Sequence, residues 1–431
     1  MLNHQQNNKA WIIAVDMGYG HQRTAYPLQD LSANDIINAN HYGGIPSRDR
    51  MIWETSREVY EFISNIKRVP LVGEFIFFIF NKFQRILSYY PKRDLSKPNT
   101  SLKKIFSLIR GGWGENLIKT LSANPLPIVS TFFTPAFMAE SFNYPGSIYC
   151  VICDADIARS WVSLNPQKSR IKYFAPSTWV VDRLKLYGVK KENIHLTGYP
   201  LPKENIGENM EIAKEDLVSR LLNLDPKKQY RKLYHSVIED YAGKLPEKSD
   251  HPLTIMFSIG GAGAQKEMCC KILKSLSRKI KSNEVKIILS AGIKKTVRDF
   301  LLDNVKKTGL ESELNKNIEI IFSDNIINYF SIFNRKLRKT DILWTKPSEL
   351  SFYAGLGIPI IIAPSIGSQE DFNRKWLLHV GAGFPQQNLK YTDEWLFDLL
   401  NGGRLAEGAM QGFVEIEKMG TYNIEKIISQ E

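Results

Sequence analysis

The sequence predicts an α/β protein made of two doubly wound, Rossmann-like domains facing a cleft. Three observations predict it. Short apolar runs alternate with amphipathic stretches of helical length. The alternation breaks at residues 198–202 and resumes at 253. The chain of 431 residues has the length of two ordinary domains.

In the first half, residues 11–15, 35–39, 127–133, 148–153, 172–175 and 194–197 read as strands. The stretches between them mostly have helical length, which argues for a parallel sheet covered on both faces. Residues 207–250 are charged, helical in period and free of a convincing strand, so they read as a linker or helical insertion. A second series follows, with strands at 253–259, 285–290, 318–322, 341–345 and 358–363. Helices are expected at 266–280, 295–307, 325–337, 347–355 and 369–380, and a last helical stretch at 413–429. The implied division is 1–205, 206–251, 252–405 and a C-terminal helix within 406–431. Doubly wound sheets bind ligands beyond the carboxyl ends of their strands, so the expected site is the cleft between the domains.

Hydrophobic residues make up 43% and charged residues 24%, which suits a globular chain with a real core rather than a disordered one. No run of 18 apolar residues exists, so no spanning helix is expected. The first ten residues are polar and the apolar run after them stops at Asp16, unlike a secretory signal. A cytoplasmic location is the default expectation.

Lys and Arg number 57 and Asp and Glu 45, a net charge of +12, and the excess is concentrated. Residues 67–110 hold ten basic side chains, opposed only by Glu74 and Asp94. The same stretch contains V-P-L-V-G-E-F-I-F-F-I-F and Tyr89-Tyr90. Basic residues interleaved with large apolar ones suit an anionic membrane surface. Nucleic acid is disfavoured, because base stacking needs aromatics presented in a polar groove. The plain alternative is a core helix with a solvated basic face. Cys150 and Cys153 form a C-x-x-C, but it falls within a strand and lacks a second pair at zinc-binding spacing. These cysteines read as buried thiols.

Five segments carry polar residues at strand-to-helix transitions. S-I-G-G-A-G-A-Q follows the 253–259 strand, and Gly260, Gly261 and Gly263 would let backbone N–H groups approach a diphosphate at a helix N-terminus. A tight strand–helix turn uses glycine as well. T-K-P-S-E-L-S-F-Y-A-G-L-G-I-P-I-I-I-A-P places Pro347, Ser348 and Glu349 in the first turn of a helix. A carboxylate there accepts two hydrogen bonds from a vicinal diol such as ribose; equally, Glu is favoured there by the helix dipole alone. G-S-Q-E-D-F-N offers Gln369, Glu370 and Asn373 to sugar hydroxyls, or simply an N-cap and a solvated first turn. D-M-G-Y-G-H-Q-R-T-A turns at Gly18 and Gly20 and opens a helix with His21. V-I-C-D-A-D-I-A-R-S-W ends a strand at Asp154 and Asp156, where a carboxylate serves as a base or merely caps the next turn.

In this order the five segments resemble the two-domain GT-B glycosyltransferases. The resemblance is to the group containing bacterial peptidoglycan N-acetylglucosaminyltransferase and the monogalactosyl- and glucosyl-diacylglycerol synthases. It covers roughly residues 11–383. It rests most on the 345–364 segment with G-S-Q-E-D-F-N, and on Y-F-A-P-S-T-W-V-V-D-R-L-K-L-Y-G-V-K-K-E-N-I-H-L-T-G-Y-P, which resembles the end of the N-terminal domain in that family. The resemblance implies a nucleotide-sugar domain at 252–405, with Gly260, Gly261 and Gly263 on the diphosphate, Ser348 and Glu349 at the ribose, and Gln369, Glu370 and Asn373 at the sugar. It implies an acceptor- and membrane-facing domain at 1–205, with Gly18, Gly20 and His21 lining the acceptor side and Asp154 matching the family's base.

The implied reaction is an inverting transfer of a hexose from a nucleotide-diphosphate sugar, a UDP-sugar, to a membrane-lipid hydroxyl. The nucleotide sugar is the co-substrate, and no metal or other cofactor is expected. The enzyme would sit peripherally on the inner face of the membrane, docked through residues 67–110. One position departs from the pattern: four residues after Asp154, where lipid glycosyltransferases of this kind commonly have His, stands Ala158, with Arg159 next. A sugar-nucleotide 2-epimerase of the same fold and an inactive binding relic are the rival readings.

Overall fold

A computed structural model of the chain describes residues 9–55, 86–258, 267–365 and 368–431. Gly260, Gly261 and Gly263 lie outside the described residues, as does the 67–85 part of the basic stretch.

The strands in chain order are β1 (Trp11–Ala14), β2 (Ile37–Asn38), β3 (Ile128–Ser130), β4 (Ile148–Val151), β5 (Lys172–Ala175), β6 (Ile194–Leu196), β7 (Leu253–Ser258), β8 (Val285–Gly292), β9 (Ile318–Phe322), β10 (Ile342–Thr345), β11 (Ile360–Ile362) and β12 (Gly383–Pro385). The helices that matter below are α1 (Tyr19–Ala25), α2 (Thr100–Arg110), α3 (Phe133–Ser141), α4 (Thr178–Leu186), α5 (Glu211–Leu224), α6 (Gln229–Leu233), α7 (His235–Ala242), α8 (Met268–Lys281), α9 (Ile326–Leu337), α10 (Ser368–Val380), α11 (Arg404–Glu415) and α12 (Gly420–Ile428).

The chain forms two compact units. The first holds residues 1–200, 366–373 and 419–431; the second holds 201–365 and 374–418. Each contains one six-stranded sheet, ordered β2-β1-β3-β4-β5-β6 in the first and β12-β11-β10-β7-β8-β9 in the second. Every named pairing is parallel. The expected α/β class, two doubly wound Rossmann-like units, is what the chain adopts. Strand order reverses between β1 and β3 in the first sheet and between β7 and β10 in the second. At such a point successive helices leave for opposite faces and open a crevice at the carboxyl edge.

The first core gathers alternate residues from the strands, such as Ile12, Val129, Tyr149 and Phe174, with Ala25 and Leu28. Ile424 and Ile428 of α12 complete it. The carboxylate of Glu431, just past α12, accepts hydrogen bonds from Ser147 at 2.5 Å and from Tyr149, and pairs with Lys172 at 2.5 Å. Within the basic stretch, α2 turns Leu102, Phe106 and Ile109 into the first unit and leaves Lys103, Lys104 and Arg110 exposed. This part therefore has its apolar face in the core and its charges in solvent. Its start is set by Asn99, whose side chain accepts from the Leu102 N–H at 2.9 Å.

In the second unit Leu253–Ser258 is buried along its whole length, as a central parallel strand must be. Two buried polar groups organise its surroundings. Asp341, at the start of β10, accepts from the Thr254 N–H at 2.7 Å and the Asn223 amide at 3.0 Å. Arg220 of α5 is 2% exposed and donates to the carbonyls of Thr340 at 2.7 Å and Leu356 at 2.8 Å. A charged donor thus satisfies carbonyls at the ends of two segments that no helix bond reaches. Residues 206–250, expected as a linker or helical insertion, form helices α5, α6 and α7 in the second unit.

Some elements differ from expectation. β12 was not expected; its three residues, Gly383–Pro385, carry no apolar run. The expected helix at 347–355 is a 3₁₀ helix, Glu349–Leu356, that ends where Gly357 turns at φ +71°. A side chain at Gly357 would also meet Leu217 Cδ1 at 2.6 Å. The expected helical stretch at 413–429 is two helices, because Ile416 is extended at the end of α11 and α12 restarts at Gly420.

The Glu431 contacts make α12 docking sensitive to acid. Burial alone would raise the carboxyl pKa, but the Lys172, Ser147 and Tyr149 hydrogen bonds outweigh it and lower the value from 4.5 to about 2. A pKa depressed by folding adds stability that is present above the unfolded value and is lost as pH falls through the folded one. The stability difference between the native chain and Glu431→Gln is therefore expected to shrink as pH falls from about 4.5 toward about 2. Urea unfolding at a series of pH values measures it.

Candidate functional site

In the first unit, the polar residues after β1, β3 and β4 converge at the strand-order reversal. Gly18 precedes α1 with φ 98°, a conformation that glycine adopts without strain, and the turn brings Gly20 and His21 into the helix's first turn. The Asp16 N–H donates to the Asn40 side chain at 2.8 Å, tying the loop after β1 to the loop after β2.

His21 is half-buried against Phe132 and Trp161, with ring centroids at 4.8 and 6.2 Å. Its Nδ1 lies 2.8 Å from the Thr131 carbonyl oxygen and 3.4 Å from Cys153 Sγ. In return the Thr131 hydroxyl donates to the His21 carbonyl at 2.9 Å. A carbonyl oxygen only accepts, so Nδ1 carries a proton. In the neutral ring the lone pair is then on Nε2.

Asp154 and Asp156 both follow β4 but have separate tasks. Asp156 is 5% exposed and forms a two-pronged pair with Arg183 of α4, Nε to Oδ1 at 2.8 Å and Nη2 to Oδ2 at 2.7 Å. Burial pushes its carboxyl pKa up more than the Arg183 hydrogen bonds pull it down. It is a structural ion pair. Asp154 is half-buried and takes a hydrogen bond from the Asn373 amide at 3.1 Å. The Asn373 carbonyl oxygen accepts from the Ala155 N–H at 2.7 Å. Residues 366–373 belong to the first unit, so Asn373 orients the Asp154 loop within that unit. Asn373 is 1% exposed, while Gln369 and Glu370, one turn earlier on α10, are half-buried. Ala158 is buried, and Arg159 beside it donates to the Ser96, Val162 and Ser163 carbonyls at 2.8, 2.6 and 3.0 Å.

Sequence reasoning placed His21, Asp154 and Asn373 at strand ends but did not pair them, and it missed Thr131. Thr131 was hidden inside the expected 127–133 strand, whereas β3 ends at Ser130. The cysteine reading needs one correction: β4 ends at Val151, so Cys153 lies beyond the strand, although both thiols are buried.

In the second unit, Thr345 at the end of β10 is in register with Ser258 at the end of β7. The stretch after Ser258 leads into the glycine segment; the stretch after Thr345 leads to Ser348 and Glu349. Ser348 is the N-cap of the 3₁₀ helix and Glu349 its first residue, so Pro347 and Ser348 precede the helix instead of opening it. Both Ser348 and Glu349 are half-buried. Among the described residues, no three His, Cys, Asp or Glu side chains are placed to hold a metal ion together.

A family model described as "Domain of unknown function (DUF6938)" matches residues 231–426. No curated protein matches the chain. Among solved structures, it is similar to UDP-GlcNAc 2-epimerase from Neisseria meningitidis bound to UDP-GlcNAc, at 14% identity over 78% of this chain and 83% of that one, with TM-score 0.45. It is similar to MurG from Acinetobacter baumannii at 14% identity, 79% and 82% coverage and TM-score 0.45. A glycosyltransferase from Rickettsia africae matches at 14% identity, 98% and 98% coverage and TM-score 0.42. With TM-scores below 0.5, these neighbours assign this chain neither a substrate nor a reaction.

Two outcomes check the site's geometry. In ¹⁵N-histidine spectra at neutral pH, the unprotonated nitrogen of His21 is expected to be Nε2; an Nε2–H tautomer would contradict the Thr131 contact. Asp156→Ala strands the Arg183 charge in the core and is expected to cost about 3–5 kcal/mol in chemical unfolding.

Proposed function

We propose that the chain is an inverting hexosyltransferase that moves the sugar of a nucleotide-diphosphate sugar, a UDP-sugar, onto a hydroxyl of a membrane lipid. The observation that supports it most is that the Asn373 amide holds Asp154 after β4 while the Thr131 carbonyl holds His21 after β1, both past the carboxyl ends of strands in the first sheet. A proton acceptor oriented by a buried amide and an imidazole with a fixed tautomer are what deprotonating a hydroxyl requires. Gly18 shapes the loop on this acceptor side, and Gly20 lies in the first turn of α1 after it.

The donor belongs to the second unit. The glycine segment with Gly260, Gly261 and Gly263 follows β7, and its amides with the N-terminus of α8 take the diphosphate. Glu349, after the neighbouring strand β10, accepts from the ribose diol, with Ser348 beside it. Gln369 and Glu370 face the sugar, while Asn373, expected there too, is 1% exposed and holds the Asp154 loop. The acceptor oxygen attacks the anomeric carbon and its proton passes to Asp154 or His21. The bond from that carbon to the diphosphate oxygen breaks, and the electron pair leaves with the phosphate. Backbone amides and the helix dipole stabilise the growing charge, so the reading includes no metal and no cofactor beyond the nucleotide sugar.

No helix among the described residues is long and apolar enough to cross a membrane. The proposal has the enzyme dock peripherally on the inner, anionic face through the basic stretch 67–110.

The test is turnover of a panel of sugar nucleotides with lipid extract, with and without anionic liposomes, the products read by mass spectrometry. A glycolipid formed only with acceptor supports the proposal. Donor consumption without acceptor, yielding a new sugar isomer, would replace it with the epimerase; tight binding without any turnover would make the chain a relic. Glu349→Ala is expected to weaken nucleotide binding about tenfold or more, from the loss of charge-assisted hydrogen bonds. Asp154→Asn is expected to lower kcat by roughly 10²–10⁴ with donor affinity intact. Native rates in Asp154→Asn would move the base role to His21, tested by His21→Gln.

A further inference from the structure

We propose that the α6–α7 hairpin of the second unit is a docking surface for an anionic phospholipid bilayer, separate from the 67–110 stretch. It carries four large apolar side chains in solvent: Leu233 is 77% exposed, Tyr234 46%, Val237 39% and Tyr241 49%. The other exposed large apolar residues among those described, such as Met51, Leu196 and Leu378, stand singly along the chain. Single exposed apolar residues are ordinary; four within nine residues form a patch.

The spacing aligns the α7 part of the patch. Leu233, Val237 and Tyr241 follow at intervals of four, so Val237 and Tyr241 fall on one side of α7. Ile238 and Ala242, at the same interval, are its buried side. Tyr230 stacks on Tyr234 with ring centroids 4.7 Å apart. Tyr230 in turn packs close to Gly403, where a side-chain carbon would meet it at 3.1 Å. The stripe is therefore presented on a braced support.

Charge selects the occupant. Residues 226–248 contain six basic side chains (Lys227, Lys228, Arg231, Lys232, Lys244 and Lys248) against three acids (Glu239, Asp240 and Glu247). A pocket of about 620 Å³ opens beside α6, and Lys228, Arg231, Lys248, Asn223 and Ser249 line it with one acid, Glu247. Arg231 is held there by the buried Asp225, donating to its carbonyl at 2.8 Å. The occupant has to offer both an apolar and an anionic surface. A bilayer with acidic headgroups matches both, since Leu and Tyr enter the interface while lysines meet phosphates.

Flotation of the purified full chain, without nucleotide, tests this on phosphatidylcholine vesicles with and without one-third phosphatidylglycerol. The native chain is expected to float with the acidic vesicles and to be released by salt. Leu233→Ser with Tyr241→Ser, and separately Lys228→Glu with Lys232→Glu, are each expected to lower the partition coefficient on the order of tenfold. Thermal unfolding should be unchanged, because all four positions are exposed. Native-like flotation of both double variants overturns the proposal, as does equal flotation on phosphatidylcholine alone. A stripe variant that changes only the sedimenting mass of the free protein would make the stripe an interface between copies of this chain. None of these readouts needs turnover, so a failed transferase assay and a failed docking surface are told apart.

Discussion

A parallel strand ladder buried on both faces forces every strand in a unit to end at the same edge, and this constraint governs where polar chemistry can sit. The strands themselves have no room for it: all six residues of Leu253–Ser258 are buried. Helices close the faces, which leaves the carboxyl edge, and there chiefly the place where strand order reverses. His21, Thr131 and Asp154 come from segments more than a hundred and twenty residues apart at their extremes, yet each follows a strand of this set. The sheet brings His21 against Thr131, whose own N–H still donates to Ile13 of β1 at 2.9 Å.

The same edge shows how a similar residue is given opposite tasks. Asp154 and Asp156 are two positions apart. Asp156 turns inward, where a buried guanidinium and the Ile157 N–H occupy its oxygens. Asp154 stays half-buried and receives the Asn373 amide. Arg220 is the counterpart in the second unit, a cation fully committed to carbonyls. By holding the Leu356 carbonyl it fixes the far end of the short helix that begins at Glu349. A buried charge distant from the chemistry thereby positions a residue proposed to take part in it.

Much of this was legible in the sequence. Eleven of twelve strands were visible because a parallel strand covered on both sides must be an apolar run. The exception, Gly383–Pro385, has a glycine, one aromatic and a proline, and pairs only at the sheet edge beside β11. Boundaries that depend on local geometry were harder. Pro347 suits the start of an α-helix, but the segment tightens into a 3₁₀ turn, and the last helical stretch gives way at Ile416 although its composition stays helical. The site residues were visible as polar groups at strand ends. Their partnerships were not, because the Asn373–Asp154 and His21–Thr131 contacts depend on which strands become neighbours. The apolar stripe at 233–241 was hidden for a related reason: in a sequence, an apolar residue does not reveal whether anything will cover it.

The division of the chain also has a consequence for its biogenesis. The first unit takes its strands from the first two hundred residues but borrows residues 366–373 and 419–431. Ile424 and Ile428 fill its core beside Ala25 and Leu28. During vectorial synthesis, the opening half must therefore wait on the ribosome with part of its interior unfilled until the whole of the other half has been made. Chaperone dependence and the fate of prematurely terminated chains should follow from that delay more than from the strength of either sheet.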